Sequence, residues 1–369
     1  MTKNIPEFSI DDDVFQNLQK LKNRMGYNSN DWNSFFRHLL STNSSASKSN
    51  NGLENIMESY FYENYYEMWV HNFALNIQNI WNENSAKDLT TDQNSVTENH
   101  YSAIVIGRGP SIKEKNHLEI LSRSNFTGAI ICTDGELIEA LKAGITPDKF
   151  SNFYVVTIDG AEIIKTLYDD PIVDEFGDRI KGIFTTVTHP KTLERARQAR
   201  IKIHWLHALF DYSDGKKSFN QISALITRSK NHVKGLPAIQ TGGNVGTACW
   251  FIGWKILKCN QIALLGINHG WTENDPWELI MSHGNSKNHV DIELDDPIFQ
   301  KLFPTVYNPD FDCTCILDPV FQYYSNALKE FIARSPKSVT TINATEGGSI
   351  FGERIECTTL NEFLKKNNF

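Results

Sequence analysis

The sequence lacks the features that would place a protein in a membrane or outside the cell. No run of apolar residues approaches the ~18 that a membrane-spanning helix needs. The first residues, MTKNIPEFSIDDDVFQ, are polar and acidic, and they lack the apolar core of a signal peptide. We therefore expect a cytoplasmic protein without a membrane span.

An excess of basic residues is also missing, since 36 Lys and Arg stand against 44 Asp and Glu, a formal net charge of −8. Nucleic-acid binding needs a basic patch for the phosphates, so this charge argues against nucleic acid as a partner. Cysteine is scarce as well. The six cysteines are scattered, and the two closest in sequence, Cys313 and Cys315, lack the spacing of a zinc site, which indicates free thiols.

The first hundred residues carry helical patterns interrupted by polar stretches. Apolar and aromatic residues recur at three- and four-residue spacings over residues 31–40 and 54–81, which predicts two helices. Residues 41–52, STNSSASKSNNG, predict a loop, and the polar residues 83–100 predict a linker. We expect an N-terminal helical module over residues 1–98.

From Tyr101 onward short apolar runs alternate with segments of helical spacing. The apolar runs are AIVIG, GAIICTDG, NFYVVTIDG, GIFTTVTHP, IKIHWLHA and QIALLGINHG. This alternation predicts a parallel sheet with helices on both faces. We expect an α/β doubly wound, mostly parallel, Rossmann-like sheet with a mixed C-terminal extension, in one domain over residues 99–369.

In such sheets ligands bind at the carboxyl ends of the strands. Small or ionisable residues follow five of the predicted strands: Gly107, Gly109 and Ser111; Asp134 and Gly135; Asp159 and Gly160; His189; Asn268 and His269. The sequence therefore predicts a ligand site at this edge. His269 and His283 also flank a polar and aromatic segment, NHGWTENDPWELIMSHG, that predicts a lid or an acceptor loop.

Two of these elements are glycine-rich. In IGRGPS, glycine allows a close approach to a ligand, Pro110 suits the first turn of a helix, and the free amides there attract phosphate. The full G-x-G-x-x-G and Walker signatures are absent, so a tight strand-to-helix turn is an equal alternative. QTGGNVGT also runs directly into a helix, with Thr241 as a candidate cap and the amides from Gly242 to Val245 as a second anion site. Two such turns at one crevice suit a diphosphate or a nucleotide-linked group.

The ionisable strand-end residues leave two interpretations open. Asp134 and Asp159 are either ordinary turn residues or groups that bind a ribose, a base edge or Mg²⁺. His189, in TTVTHP, and His269 are either structural or candidates for a general base.

Several segments resemble one known family. IVIGRGPSI, LIEALKAGITPDKF and YVVTIDG are similar to the family that includes archaeal 6-hydroxymethylpterin diphosphokinase (MptE-like) and the motility accessory factors, which are flagellin glycosyltransferases. TGGNVGTACWFIGWKILKCNQIALLGINHG resembles a helix–strand unit found there and in bacterial sialyltransferases, and TINATEGGSIFGERIECTTLNEFL resembles the C-terminal motif of the accessory factors. The resemblance covers about residues 101–365.

The resemblance implies a role for each matching residue. Gly107, Gly109, Pro110 and Ser111 would line the phosphates of a nucleotide, and Asp134, Gly135 and Asp159 would face the nucleotide or a metal. Thr241, Gly242, Gly243 and Asn244 would close the other wall of the site. Glu346, with Asn343 and Thr345, would complete the donor pocket; the alternative is a capped turn that fixes the C-terminal helix.

The chain departs from the diphosphokinase branch by having fewer carboxylates. Thr157 and Pro190 stand where that branch has acidic motifs, and the late turn is TGGN instead of an aspartate-rich turn. The central VTIDG, in contrast, resembles the diphosphokinase branch.

We therefore expect a nucleotide-dependent transferase, with a glycosyltransferase that uses a nucleotide-activated sugar favoured, and a small molecule or a protein as acceptor. The candidate catalytic residues are His189, His269 and Asp159. The first alternative is an ATP-dependent 6-hydroxymethyl-7,8-dihydropterin diphosphokinase, which would need Mg²⁺ at Asp134 and Asp159. The second alternative is a nucleotide-binding module without catalysis. No cofactor is firmly implied.

Overall fold

A computed structural model of the protein describes residues 7–8, 16, 19–20, 22, 51–93, 101–209, 218–281, 283, 290–291 and 297–367. The predicted helix over residues 31–40 and most of the loop predicted at 41–52 lie outside the described residues. Residues 51–52 are helical.

The chain divides into two compact units. The larger unit contains Tyr65–Asn268 and Ala327–Phe369, and the smaller contains Met1–Asn64 and His269–Asn326. The division into modules at residue 98 stays a prediction. No helix in the described part of the chain is long and apolar enough to cross a membrane.

The described residues form fifteen strands. In chain order they are β1 (Glu7–Phe8), β2 (Asn84–Ser85), β3 (Ser102–Ile106), β4 (Ala129–Thr133), β5 (Phe153–Thr157), β6 (Lys181–Thr185), β7 (Lys202–Leu209), β8 (Ala238–Gln240), β9 (Gln261–Leu265), β10 (Trp271–Thr272), β11 (Val290–Asp291), β12 (Thr305–Asn308), β13 (Cys313–Ile316), β14 (Thr340–Asn343) and β15 (Ile355–Cys357).

The α-helices are α1 (Asn51–Asn82), α2 (Ser111–Glu114), α3 (His117–Arg123), α4 (Leu137–Lys142), α5 (Pro171–Phe176), α6 (Pro190–Gln198), α7 (Phe219–Ile226), α8 (Val245–Phe251), α9 (Trp277–Met281), α10 (Pro297–Leu302), α11 (Pro319–Arg334) and α12 (Leu360–Lys366). Helix α8 continues as a π-helix over Ile252–Ile256. Residues Glu162–Tyr168, between β5 and α5, form a 3-10 helix.

The larger unit is built on a ten-stranded sheet. Its order is β15-β14-β9-β3-β4-β5-β6-β7-β2, with β8 also paired to β7, and each strand pair is parallel. The chain runs outward from β3 to β7 and then returns to place β9 on the other side of β3. The strand order therefore reverses between β3 and β9, and the predicted doubly wound fold is confirmed.

Both faces of this sheet are covered, because alternate side chains of a strand point to opposite faces. Ala103 and Val105 of β3 pack in one apolar cluster, and Ile104 and Ile106 pack in another. The first cluster includes the fully buried Trp250 of α8, and burial of such a side chain contributes about 1.5–3 kcal/mol. The predicted mixed C-terminal extension is confirmed by the antiparallel sheet β10-β13-β12 in the smaller unit.

Residues 83–93, predicted to belong to a linker, pack against the sheet instead. Strand β2 pairs with β7, and Leu89 is buried in the core. The Glu83 carboxylate accepts hydrogen bonds from Arg197 Nε at 2.7 Å and from Trp205 Nε1 at 2.8 Å. The prediction was wrong here because Glu83 is bonded to partners more than a hundred residues away in the chain, and its polarity alone does not show this.

Candidate ligand site where the strand order reverses

The loop after β3 is held against the loop after β9 by backbone hydrogen bonds. The Gly107 amide donates to the Leu265 carbonyl at 2.8 Å, and the Gly109 amide donates to the Gly266 carbonyl at 2.8 Å. A Cβ atom at Gly109 would lie 2.1 Å from Asn268 Oδ1 and 2.6 Å from the Gly266 carbonyl oxygen. These two glycines therefore allow two loops to approach each other, and their own amides are already bonded.

Other backbone amides of this loop remain available. Among the described residues, the amides of Arg108 and Ser111 donate no backbone hydrogen bond. Pro110, which has no amide hydrogen, stands at the N-cap position of α2, and Arg108 is exposed. The free donors of IGRGPS thus belong to Arg108 and Ser111 instead of to the glycines.

The second glycine-rich turn approaches the same point. The Cδ1 atom of Ile267 would lie 2.4 Å from a Cβ at Gly107 and 2.7 Å from a Cβ at Gly246, in the first turn of α8. Ile267 therefore lies between the loop that follows β3 and the first turn of α8, at the reversal between β3 and β9. That the two glycine-rich turns bind one ligand stays a prediction.

The cap of α8 differs from the prediction. Asn244, and not Thr241, is the N-cap, because its Oδ1 accepts a hydrogen bond from the Thr247 amide at 2.9 Å. Thr241 closes the turn itself through its Oγ1, which accepts from the Gly243 amide at 3.3 Å. Gly242, at φ 58°, and Gly243, at φ 81°, adopt the left-handed conformation that this turn requires.

The bonds inside this turn also limit which of its amides can bind an anion. The Asn244 amide donates to the Thr241 carbonyl at 3.3 Å. In the part of the chain that the structure describes, the amides of Val245 and Gly246 have no such acceptor. Among the described residues the Gly242 amide also donates no backbone hydrogen bond, so the free donors lie at Gly242 and Val245 of the predicted range and at Gly246, one residue beyond it.

Asn268 joins three loops at this edge. Its Oδ1 accepts a hydrogen bond from Ser111 Oγ at 2.9 Å, and its carbonyl accepts from the Ser349 amide at 2.9 Å. A Cβ at Gly348 would lie 2.3 Å from the same carbonyl oxygen. The loops after β3, β9 and β14 therefore meet at Asn268, which the sequence places at a strand end without assigning it to the site.

The NATEGG motif makes structural contacts. Glu346 Oε1 accepts from the Leu360 amide at 3.2 Å, where α12 begins, and lies 3.2 Å from His117 Nε2 at the start of α3. Burial lowers the pKa of His117. Asn343 Oδ1 accepts from the Thr345 amide at 2.8 Å. These contacts favour the alternative in which the motif fixes the C-terminal helix, and a role for Glu346 in a donor pocket stays a prediction.

Asp134 is buried at the end of β4 and bonded through both carboxylate oxygens. Oδ1 accepts from the Gly135 amide at 2.8 Å, and Oδ2 accepts from Thr157 Oγ1 at 2.8 Å. The Tyr168 hydroxyl lies 2.7 Å from Thr157 Oγ1. Burial is the main cause that raises the pKa of Asp134 to about 6. Thr157 therefore supports the Asp134 carboxylate through its hydroxyl.

Glu136 is a second buried carboxyl group, and the sequence analysis did not identify it. Burial, with a smaller contribution from Glu139, raises its pKa to about 7. The Cδ atom of Arg108 would lie 3.1 Å from a Cβ at Gly135, so the Arg108 side chain passes over the turn between Asp134 and Glu136. In the sequence, the signal for this residue was its position two places after the aspartate that ends a strand.

The carboxylates here fit a magnesium ion poorly. Asp134 already accepts two hydrogen bonds, and the Oδ1 of the exposed Asp159 accepts from the Ala161 amide at 2.8 Å. Among the described residues there is no group of three or more His, Cys, Asp and Glu side chains that could hold a metal.

The two histidines predicted as bases lie in different units. His189, in the larger unit, is the N-cap of α6, with Nδ1 accepting from the Lys191 amide at 3.2 Å, and burial lowers its pKa. His269, in the smaller unit, is only 8% exposed, adopts φ 41° and stacks on Phe321 with ring centroids 6.2 Å apart. A catalytic role for either stays a prediction.

Helix α1 reaches the loops around His189 through two asparagines. Asn72 Nδ2 donates to the carbonyls of Gly160 and Val187, both at 2.9 Å. Asn76 Nδ2 donates to the carbonyls of Thr186 and Thr188 at 3.1 and 2.8 Å. These buried amides one helical turn apart hold the loops after β5 and β6, and their i, i+4 spacing was the only signal in the sequence.

Comparison with known proteins identifies the family of the chain. The family model described as "6-hydroxymethylpterin diphosphokinase MptE-like" matches residues 71–274, more than half of the chain, so the protein belongs to the MptE-like family. No curated protein matches the chain. A solved structure of the MAf glycosyltransferase from Magnetospirillum magneticum AMB-1 is similar at 14% identity and a TM-score of 0.49, over 74% of this chain and 37% of that one. The match thus spans well under half of that protein's length.

Proposed function

We propose that the protein is a transferase that binds a nucleotide-activated donor, and that the donor carries a sugar. The observation that carries this proposal is that the loop after β3 and the first turn of α8 both approach Ile267, where the strand order reverses. Doubly wound sheets bind ligands at this kind of position. Membership of the MptE-like family, whose description names a diphosphokinase, also favours a phosphate-bearing substrate.

The free amides define what this position attracts. Arg108 and Ser111 supply two donors from one loop, and Val245 and Gly246 supply two from the start of α8. The partial positive charge at the start of a helix favours anions, and the exposed Arg108 guanidinium adds a full positive charge. Two separate sets of donors suit the two phosphates of a diphosphate or a phosphate next to a sugar.

The proposed chemistry rests on positioning. The free amides would stabilise the negative charge that develops on the departing phosphate, and the buried carboxyl groups of Asp134 and Glu136 would accept hydrogen bonds from the nucleotide or donate them when protonated. No step is assigned to a metal ion because the donor set at Asp134 and Asp159 fits one poorly.

A second candidate is the ATP-dependent pterin diphosphokinase, and the description of the family model favours it. Pyrophosphoryl transfer depends on divalent metal bridging the phosphates of ATP. The two candidates therefore differ in the nucleotide that they bind and in their dependence on Mg²⁺.

A thermal-shift panel of CMP, UMP, UDP, GDP, AMP and ATP, each with and without Mg²⁺, tests the proposal. A ligand at ~100 times its dissociation constant stabilises the fold by roughly 2.7 kcal/mol. We expect a metal-independent shift with one pyrimidine or guanine nucleotide, lost in Arg108→Glu and kept in Lys202→Glu, a matched charge reversal at the amino end of β7. A shift with ATP only, and only with Mg²⁺, would support the diphosphokinase instead.

A further inference from the structure

The larger unit holds a buried carboxyl group without a bonding partner. Glu136 follows β4 and is 5% exposed. It stands at the N-cap position of α4, yet its side chain bonds no amide of that helix. Among the described residues, its carboxyl group has no hydrogen-bond donor and no ion-pair partner. Burial of such a group costs free energy, and a bound molecule that supplies the missing donors offsets this cost.

Asp134, in contrast, is satisfied within the fold. Its Oδ1 accepts from the Gly135 amide and its Oδ2 accepts from Thr157 Oγ1, each at 2.8 Å. The two Glu136 oxygens have no such donor, and neither is fully buried. An ionised carboxylate only accepts hydrogen bonds, and its two oxygens can receive two separate donors. Glu136 therefore suits a ligand with two neighbouring donors, such as two adjacent hydroxyl groups.

Arg108 lies beside this carboxyl group without bonding to it. Its Cδ atom would lie 3.1 Å from a Cβ at Gly135, the residue before Glu136. Burial and the charge of Glu139 raise the pKa of Glu136 to about 7, and the positive charges of Arg108 and Lys113 oppose this shift. In the described part of the chain, no ion pair joins Arg108 to Glu136. A guanidinium next to an unpartnered carboxyl group matches a ligand in which a phosphate stands near hydroxyl groups.

We propose that Glu136 binds two adjacent hydroxyl groups of the donor, with one carboxylate oxygen for each hydroxyl. This inference rests on the proposed function and adds the group that the site recognises besides phosphate. Arg108 and the amides of its loop hold the phosphate, and Glu136 holds the diol next to it. A nucleotide-linked sugar carries adjacent hydroxyls in the ribose and in the transferred sugar. The two sources share this chemistry, and the experiments below distinguish them.

The first test modifies the carboxyl groups of the full wild-type chain. A water-soluble carbodiimide with glycine ethyl ester converts reachable carboxyl groups into amides, which mass spectrometry assigns to peptides. We expect ribose 5-phosphate or glucose 1-phosphate to slow the modification of Glu136 by about fivefold or more, as a saturating ligand does. Inorganic phosphate and 2-deoxyribose 5-phosphate, which lack adjacent hydroxyls, should not slow it. The exposed Glu139 should react equally in all samples. A Glu136 that neither diol protects contradicts the proposal.

The second test identifies the source of the diol by titration calorimetry. Its ligands are the nucleotide that gives the largest thermal shift, the 2′-deoxy analogue and the matching nucleotide-linked sugar. If the ribose supplies the diol, Glu136→Gln and the 2′-deoxy change each weaken binding by about tenfold or more, and together they weaken it no further. If the transferred sugar supplies it, Glu136→Gln weakens only the nucleotide-linked sugar. Glu139→Gln, which removes the same charge from an exposed position, should bind all three ligands as the wild type does.

Two results of the calorimetry would overturn the inference. In one, Glu136→Gln weakens all three ligands by the same factor, which indicates an effect on charge or folding without a specific contact. In the other, it weakens none of them. If the wild-type protein binds no nucleotide, the proposed function fails, and protection by the sugar phosphates still decides whether Glu136 binds a diol.

Discussion

Ser111 Oγ donates a hydrogen bond to Asn268 Oδ1, 2.9 Å away, and so joins the first residue of α2 to the loop that follows β9. The two residues are 157 positions apart in the chain, and they follow the two strands between which the strand order reverses. Because Ser349 also donates to the Asn268 carbonyl, this contact brings three loops into one rigid edge beside the free amides. The rigidity matters because a site that works by positioning needs fixed donors.

The contact between Gly109 and Asn268 should appear as a coupling energy. Gly109→Ala places a Cβ 2.1 Å from Asn268 Oδ1, and we expect it to destabilise the fold by about 1–3 kcal/mol. Asn268→Ala removes that oxygen. The double variant should therefore be more stable than the sum of the single effects, by about 0.5–1 kcal/mol, in urea unfolding. Strict additivity would show that the loops do not meet in this way.

Glu346→Ala separates the two interpretations of the NATEGG motif. The carboxylate bonds the Leu360 amide and lies beside His117, so its loss should cost about 1–3 kcal/mol in the free energy of unfolding. Nucleotide affinity, measured by titration calorimetry, should stay within about twofold of the wild type. The exposed carboxylate Glu356, replaced by Ala, is the control. A loss of affinity without a loss of stability would place Glu346 in the ligand site.

The raised pKa of Asp134 predicts that the free energy of unfolding depends on pH. Its pKa is raised from 3.8 to about 6 in the folded state, so the folded protein binds the proton more tightly than the unfolded chain does. The stabilisation is fully present below about pH 4 and is lost as the pH rises through about 6. In the wild type this titration changes the free energy of unfolding by up to about 3 kcal/mol, and Asp134→Asn should not show that change. Glu353→Gln, at an exposed position, should keep the wild-type profile in urea unfolding from pH 4 to 8.

Asn72 should stabilise the loops around His189. Asn72→Ala leaves the buried carbonyls of Gly160 and Val187 without their side-chain donor, at a cost of about 2 kcal/mol. Amide hydrogen exchange should accelerate in the loops after β5 and β6. The same substitution at Gln78, exposed on the same helix, should change neither quantity. Equal exchange in both variants would contradict the assignment of Asn72 to these loops.

The sheet was predictable from the sequence because each central strand is a short apolar run next to a helical segment. The pairing of distant loops was not. IGRGPS cannot show whether its glycines admit a ligand or another loop, since Asn268 lies 157 residues further on. Asn244 caps the helix because Gly242 and Gly243 adopt positive φ angles. The sequence does not show these angles, and Thr241 in the same turn is an equally suitable residue type for a cap.

Backbone amide NMR of the deuterated protein can locate the proposed nucleotide phosphate at the reversal between β3 and β9. On titration with the nucleotide that gives the largest thermal shift, we expect the largest changes at the amides of Arg108, Ser111, Val245 and Gly246. Gly107 and Gly109, whose amides are bonded within the fold, should change less. Saturable changes elsewhere, with the resonances of these four amides unmoved, would show that the nucleotide phosphate does not bind at this reversal.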